Sequence, residues 1–422
     1  MGASLTDQSV FSEVIGYKDM KVDLCVIGGG LSGTLSAVHA ASKGKRVVLV
    51  RSGWGGTALS CGAFDVADTS YEGFEISDQI EQIKKEYPHH PYHHLNFGNL
   101  SPSVELLKKV FPFRILGSYR ENHLFLSHMG HWLRRAFAME SQSFDFKVSG
   151  RRKALVIGFS PMIPAPLLQS ELCISESIPW HRNEVNLLPQ TMAKFLDRPE
   201  ELQNLAKHIK SKIKSHFFQA LLVPPVMGLD YFSERRRELE SLMGCPVYET
   251  LGGGNSVPGI RFQKGLEEAL RSQNITVVNG RAERVEKERK RALAIKGRKH
   301  GGEPFEIEAS FFVLAAGKFL TGGIRKNRLF QEPLFHLPLF YRGTPVSEMS
   351  PGSLLRDDFF EKQPFLEVGV KTNHELLPLD DSGEIVYENL RVCGTLLYGF
   401  DPYGGESRFG VSMLSGYQAG GA

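Results

Sequence analysis

Near the start of the chain, Gly28, Gly30 and Gly33 form the pattern G-x-G-x-x-G, with Leu31 and Ser32 between the last two glycines. Each glycine of such a turn has a mechanical task. The first allows a tight reversal, the second lets a pyrophosphate approach the backbone, and the third lets a helix lie close against a strand. A helix opening at this turn presents free N–H groups and the positive end of its dipole to an anion. The chemistry implied is dinucleotide binding. One residue of the usual pattern is absent. An Asp or Glu about 20 residues on normally holds a ribose hydroxyl. Here that place reads Val50-Arg51-Ser52, and the next carboxylate is Asp65. Arg51 is open to three readings: a surface residue at a strand end, a reader of a 2′-phosphate, or a contact to another part of a nucleotide.

These residues need a strand, a turn, a helix and a second strand, and the sequence supplies them. Val22–Ile27 is apolar apart from Asp23, a helix runs to about Lys43, Gly44 stops it, and Val47–Val50 form the next strand. Ala37, four residues after Gly33, is small enough for close helix packing. Residues 53–66 follow as a loop of small and hydroxyl residues, suited to wrapping the far end of a cofactor. Much later, the strand Phe311–Leu314 runs into Ala315-Ala316-Gly317, and Leu390–Val392 runs into Cys393-Gly394 and on to Phe400-Asp401. A closing helix is expected over Gly410–Ala419.

The intervening chain divides by pattern. Helices are expected over Gln79–Tyr87 and Ser103–Val110. Lys153–Ile157 and Phe217–Val223 read as strands, with helices at Leu167–Leu172 and Pro199–Lys214 and a loop over Trp180–Asn186, which predicts an inserted α/β domain. The helix Phe262–Ser272 places Phe262, Leu266 and Leu270 on one face. Ile275–Val278, Ala282–Glu286, Arg291–Ile295 and Phe305–Glu308 alternate like a small antiparallel sheet. The expected layout is an extension over 1–20, a cofactor domain in pieces over 21–150, 246–335 and 336–422, and the insertion over 151–245.

Composition narrows the function classes. The chain has 422 residues, 41% apolar and 23% charged, with a net charge of +3, too small to argue for nucleic acid. The basic run Glu286–His300 reads as a solvated hairpin turning at Arg298–Gly302. Cys25, Cys61, Cys173, Cys245 and Cys393 are scattered, with no C-x-x-C, so no zinc or iron–sulfur site is written locally. Cys25 and Cys393 sit in apolar strands and are expected to be buried. The odd number and the lack of a secretory signal suit a reducing cytoplasm. There is no run of about 18 apolar residues to cross a membrane. His89, His90, His93 and His94 crowd together, but Pro91 interrupts them and a solvated loop is expected. His123, His128 and His131 read as structural. Arg261 is the best candidate for a phosphate or cofactor contact outside the glycine turn.

The glycine turn, the strand leading into Ala315-Ala316-Gly317 and the late strand leading into Gly394 and Asp401 occur in the order found in flavoproteins with two dinucleotide-binding domains. More closely, the chain resembles the B subunit of the anaerobic glycerol-3-phosphate dehydrogenase complex. The matching pieces are VIGGGLSG, LSCGAFDV, HPYHHL, LLVPPVMGLD, SVPGIRFQKGLEEAL, FFVLAAGKFLTGGI and LRVCGTLLYGFDP followed by GYQAG. They span nearly the whole chain in order. The second strand in that family also tends to end in a basic residue, as at Arg51. The terminal helix looks short, and Gly404-Gly405-Glu406-Ser407 is less glycine-rich than the family's version.

The resemblance implies a Rossmann-like FAD/NAD(P)-binding parallel sheet with a crossover antiparallel sheet and an inserted α/β domain. It implies a non-covalent flavin, FMN or FAD, and a complex that oxidises sn-glycerol 3-phosphate to glycerone phosphate and passes electrons to a quinone. A catalytic FAD subunit and an iron–sulfur subunit would be the partners. The chain would be cytoplasmic, peripheral to the inner face of the membrane through that complex. Gly28, Gly30, Leu31, Ser32 and Gly33 would face phosphate, with Arg51 and Ser52 beside them. Thr57, Ser60 and Gly62 would reach the ribityl chain or ring, and Ala316 and Gly317 the pyrophosphate side. Gly394 and Asp401 would approach the ribityl hydroxyls, unless Asp401 only caps its turn. No catalytic acid or base is assigned. The alternatives are a stand-alone FAD- or NADP-dependent oxidoreductase and a scaffold without cofactor.

Overall fold

The computed structural model describes residues 20–67, 73–144, 154–160, 163, 165, 173–179, 188–213, 218–253, 257–358, 360–404 and 408–421. The N-terminal extension up to residue 19, the expected helix at Leu167–Leu172 and the loop Trp180–Asn186 lie outside them.

In chain order the elements that position the site are β1 (Met20–Ile27), α1 (Leu31–Ser42), β2 (Val47–Arg51), β3 (Ala154–Ser160), β4 (Cys173–Pro179), β5 (Ala220–Val223), β6 (Val247–Glu249), α2 (Val257–Ser272), β7 (Thr276–Glu288), β8 (Arg291–Lys299), β9 (Pro304–Leu314), β10 (Leu390–Val392) and α3 (Arg408–Gly420). β1 pairs in parallel with β2 on one side and with β9 on the other. β7 adds in parallel beyond β2, and β10 beyond β9. The layer therefore runs β7-β2-β1-β9-β10, all parallel. Leu24, Cys25 and Val26 of β1 and Val48, Leu49 and Val50 of β2 are buried, as expected for strands covered on both faces. The polar Asp23 is explained by the next connection: its carboxylate takes the backbone N–H of Arg46 at 2.8 Å and the Arg46 guanidinium at 3.1 Å.

β7 and β9 continue past this layer and hold β8 between them, antiparallel to both. The antiparallel sheet anticipated as four short strands is thus two long strands shared with the parallel layer, plus β8. Register shifts at Ala282/Arg284 and Glu286/Lys287 mark irregularities in the antiparallel stretch of β7. The basic run is the solvated part of this sheet. Lys296 reaches Glu286 at 2.6 Å and Glu306 at 3.1 Å, and Lys299 reaches Glu303 at 2.9 Å.

A second parallel sheet, in the order β6-β5-β3-β4, has an apolar core of its own. β6 lies past residue 245, so this sheet runs on to Glu249. One fully buried ion pair ties it to α2. Arg261 donates to both Glu249 oxygens, at 2.6 and 3.0 Å, and to the Gly228 carbonyl. Arg261 is therefore a bolt between two sheets and does not face a ligand, contrary to the sequence expectation.

α3 lies closely against α1. A Cβ on Gly416 would stand 2.4 Å from the Ser32 carbonyl oxygen, and one on Gly420 would stand 2.2 Å from that of Ser36. Only glycine permits this approach. The buried Asp65 accepts the N–H of Phe409 at 3.1 Å and so caps α3, 344 residues further along the chain.

Candidate functional site

The C-terminal ends of β1, β2 and β9 open into a cleft of about 290 Å³. Its walls come from the glycine turn, from residues 51–57, from Ala315 to Lys318, and from Tyr403, Arg408 and Ser412. A second cleft of about 380 Å³ adjoins it and shares Gly28, Arg51, Ser52, Ala316 and Thr321. The second cleft extends towards Gly280–Glu283 of β7. Ligands of open α/β sheets bind in this position, beyond the carboxyl ends of the strands.

The glycine turn has the shape of a phosphate cradle, and its glycines divide by task. Gly28 has φ +121°, and a Cβ there would meet the Ala315 oxygen at 2.2 Å. A Cβ on Gly33 would stand 2.0 Å from the Gly28 oxygen. Both glycines are demanded by the protein's own packing. Gly30 differs. Its φ is −83°, and a Cβ would meet nothing closer than Thr57 Oγ1 at 3.6 Å. The protein's own packing leaves room for a Cβ at Gly30 and does not demand glycine there. Thr34 N–H is bonded to the Gly30 carbonyl and Leu31 N–H to Thr57 Oγ1 at 3.1 Å. The N–H groups of Ser32 and Gly33, in the first turn, have no acceptor within the helix. These features fit a phosphate-bearing cofactor.

α2 braces the wall of the cleft with one face, through residues that line it. Gly259, Gln263 and Glu267 are four residues apart, hence stacked. Gly259 allows contact with the carbonyls of Ala58 and Ser60, where a Cβ would stand at 2.3 and 2.8 Å. Gln263 donates to the Gly29 carbonyl at 3.1 Å. Glu267 accepts from Arg51 at 2.9 Å and from the Trp54 indole at 2.8 Å. The neighbouring face is apolar, with Phe262 stacked on Phe111 at 4.7 Å between ring centroids. Arg51 is thus not a free cation. Its Nε also donates to Asn279 at 3.0 Å.

Two cations in the wall were not singled out from the sequence. Arg408 opens α3 and donates to the Gly56 carbonyl at 2.6 Å. Its burial lowers the guanidinium pKa from the ordinary value, so an anionic group in the cleft would relieve a real cost. Lys318 is fully buried, and its Nζ donates to Leu366 O at 2.7 Å and Phe400 O at 2.8 Å. Burial pushes its pKa down to about 7, against smaller opposing effects of Asp401 and Glu367. Lys318 ties the end of β9 to the turn that carries Pro402 and Tyr403 into the cleft.

Of the residues expected at the site, Gly28, Gly30, Leu31, Ser32, Arg51, Ser52, Thr57, Ala316 and Gly317 line the first cleft, and Gly33 stands directly behind it. Four expected residues have other employment. Ser60 is buried where its carbonyl meets Gly259. Gly62, at φ +95°, packs against Gln142 and Pro258. Gly394 has φ +75°, a Cβ there would meet Ser32 Oγ at 2.3 Å, and its N–H goes to Ser415. Asp401 is buried and accepts the N–H of Tyr403 at 2.8 Å, capping its own turn. The histidine-rich segment is only partly solvated, with His93 exposed and His89 and His94 half-buried. His90 and Tyr92 are buried, and His90 Nδ1 accepts the Tyr92 N–H at 3.1 Å. Cys25 and Cys393 are buried, and burial raises both thiols to about 12.

The cradle, the paired clefts and the parallel layer define a dinucleotide-type cofactor protein. A model of the FAD binding domain family matches residues 23–171 and 177–406, and the chain belongs to that family. Its cofactor is accordingly a flavin. Among its relatives is the B subunit of the anaerobic glycerol-3-phosphate dehydrogenase of Pectobacterium carotovorum strain PC1, 28% identical over 94% of this chain and 97% of that one. The protein of the same name from Aliivibrio fischeri is 24% identical over 95% and 94%. Among solved structures, the open conformation of a flavocytochrome c3 fumarate reductase covers 96% of this chain and 78% of its own, at 11% identity and a TM-score of 0.47. The 3-ketosteroid delta1-dehydrogenase of Sterolibacterium denitrificans matches over 95% and 99%, at 12% identity and a TM-score of 0.45.

Proposed function

We propose that this chain is the flavin-bearing subunit of an anaerobic glycerol-3-phosphate dehydrogenase, supporting oxidation of sn-glycerol 3-phosphate to glycerone phosphate. Its role is to relay electrons between a catalytic FAD subunit and an iron–sulfur subunit, and so to a quinone. The observation that carries the reading is the space in front of Gly30, open in a turn whose other two motif glycines are packed tight. The relatives of the same name, matched along nearly their whole length, support the assignment to that complex. No helix among the described residues is long and apolar enough to cross a membrane, which suits a chain held at the membrane by its partners.

A bound flavin supplies transfer of one or two electrons. The chain's own groups bind and orient it. The first turn of α1 offers its free N–H groups to phosphate, with Ser32 in the lining of the cleft. Thr57 fixes the helix start by accepting from Leu31. Arg408 supplies positive charge at the cleft wall, and Lys318 holds the 400–403 turn in place. A relay protein needs no acid or base, and none is assigned.

FAD is favoured over FMN because the second cleft gives room beyond the phosphate turn for an adenosine. Mass analysis of cofactor released by denaturing the purified chain is the test. FAD is expected. FMN would overturn the dinucleotide assignment, and absence of flavin would leave the scaffold reading. Full glycerol-3-phosphate oxidation by the partner subunits without this chain would contradict the relay role.

A further inference from the structure

The end of β2 carries an arginine where a carboxylate is usual, yet a carboxylate is present in the structure. It arrives from α2. Glu267 Oε1 accepts from Arg51 Nη1 at 2.9 Å and from Trp54 Nε1 at 2.8 Å. We propose that Glu267 sets the nucleotide selectivity of the cleft: paired with Arg51, it makes the end of β2 accept a ribose hydroxyl and reject a ribose 2′-phosphate. The inference rests on the flavin reading above and deepens it by naming the residue that selects the sugar.

The geometry of Arg51 shows why its charge does not serve a phosphate. Its stem lies flat over the glycine turn, where a Cβ on Gly29 would stand 2.7 Å from Arg51 Cδ. Its head is held at two points, Nε by Asn279 at 3.0 Å and Nη1 by Glu267. The Arg51 and Glu267 side chains are 15% and 25% exposed, so solvent screens their attraction less than that of a surface pair. An arginine recognises phosphate through a free planar fork of donors. Here the fork is partly occupied and its charge is balanced. A 2′-phosphate arriving beside Arg51 would meet a carboxylate and would have to displace it.

A hydroxyl meets a different surface. Both donors converge on Oε1 of Glu267, which backs the cleft-lining Arg51 and Trp54, so a sugar hydroxyl beside Arg51 meets a charge-balanced wall. Rejection of the wrong ligand by a placed repulsive group is a common source of specificity. Trp54 lines the first cleft, and its indole is positioned by the same carboxylate. Further out, Arg281 and Arg325 face the second cleft together with Glu283, so the region beyond the pair is mixed in sign. The nearby Glu332 is turned inward, accepting the backbone N–H groups of Leu334, Phe335 and Leu337. Selection therefore falls to the pair at the strand end.

The test uses the full chain stripped of flavin and titrated with ADP and with adenosine 2′,5′-bisphosphate, followed by calorimetry and by tryptophan fluorescence. The wild type binds ADP more tightly. Glu267→Gln leaves Arg51 uncompensated and moves the affinity ratio about tenfold towards the bisphosphate, the scale of effect expected when one repulsive charge is removed. Arg51→Leu, which leaves the carboxylate unopposed, moves the ratio the other way and serves if Glu267→Gln does not fold. A wild type that prefers the bisphosphate, or either variant with an unchanged ratio, overturns the inference. A wild type that selects ADP but takes up no flavin would instead remove the flavin reading and leave the selectivity standing.

Discussion

At the scale of single residues, the glycine turn separates structural from ligand constraints. Gly28→Ala combines a contact of 2.2 Å with a φ of +121°, and Gly33→Ala a contact of 2.0 Å with backbone. Each is expected to destabilise the chain by about 2–4 kcal/mol, from overpacking and, at Gly28, backbone strain. Denaturant unfolding measures this, and wild-type stability in either variant would contradict the packing account. Lys318 gives a pH dependence. Its folded pKa of about 7 lies below the ordinary value of 10.5 that it has in the unfolded chain. Between those values the unfolded chain binds more protons, so stability rises with pH across that window. The cost of burying the ammonium is fully present below about 7 and fades towards 10.5. In the flavin-free chain, Lys318→Met should lose this contribution, flattening the melting temperature against pH relative to wild type. Parallel profiles would contradict it.

At the scale of elements, α2 braces the glycine turn and the end of β2 and ties them to the second sheet. Arg261 and Glu249 are both fully buried, and removing one partner strands the other charge. Arg261→Met alone should cost about 3–5 kcal/mol, and pairing it with Glu249→Leu should recover part of that loss. A double-mutant cycle by denaturant unfolding measures the coupling, and strict additivity would contradict it. The same element shows what the sequence made legible. The strand, glycine turn and helix over 20–51 were readable because their signals are local: β-branched runs, a G-x-G-x-x-G and a stopping glycine at Gly44. The apolar face of α2 was readable from Phe262, Leu266 and Leu270. Its other face was not, because Gln263 and Glu267 find Gly29 and Arg51 at separations of 234 and 216 residues, and nothing in a helical period names the partner. Arg261 looked like a ligand contact because a lone arginine after a glycine-rich stretch carries no sign of the buried Glu249 that claims it. Asp401 and Gly394 have the residue types of a cofactor turn, but local chain geometry uses both. β7 and β9 looked like four strands because each changes partners midway, and the change falls where polar residues interrupt the pattern.

At the scale of the whole molecule, the cleft is assembled from segments separated by most of the chain. α1 and its glycine turn come from the start, the AAGK segment from the end of β9, and Tyr403, Arg408 and α3 from the C-terminal part. Gly416 and Gly420 let α3 press against α1, and Asp65 caps α3 from beside the site. Cofactor binding should therefore stabilise the chain as one unit. A ligand at 100 times its Kd adds about 2.7 kcal/mol to the folded state. The most direct measurement is the flavin content of purified wild type and of Gly30→Val, with folding checked by circular dichroism. Gly30 has ordinary backbone angles and room for a side chain, so the variant should fold, while its isopropyl group fills the space in front of the cradle. Equimolar flavin is expected in the wild type and almost none in the folded variant. A folded Gly30→Val chain that keeps its full flavin content would contradict it.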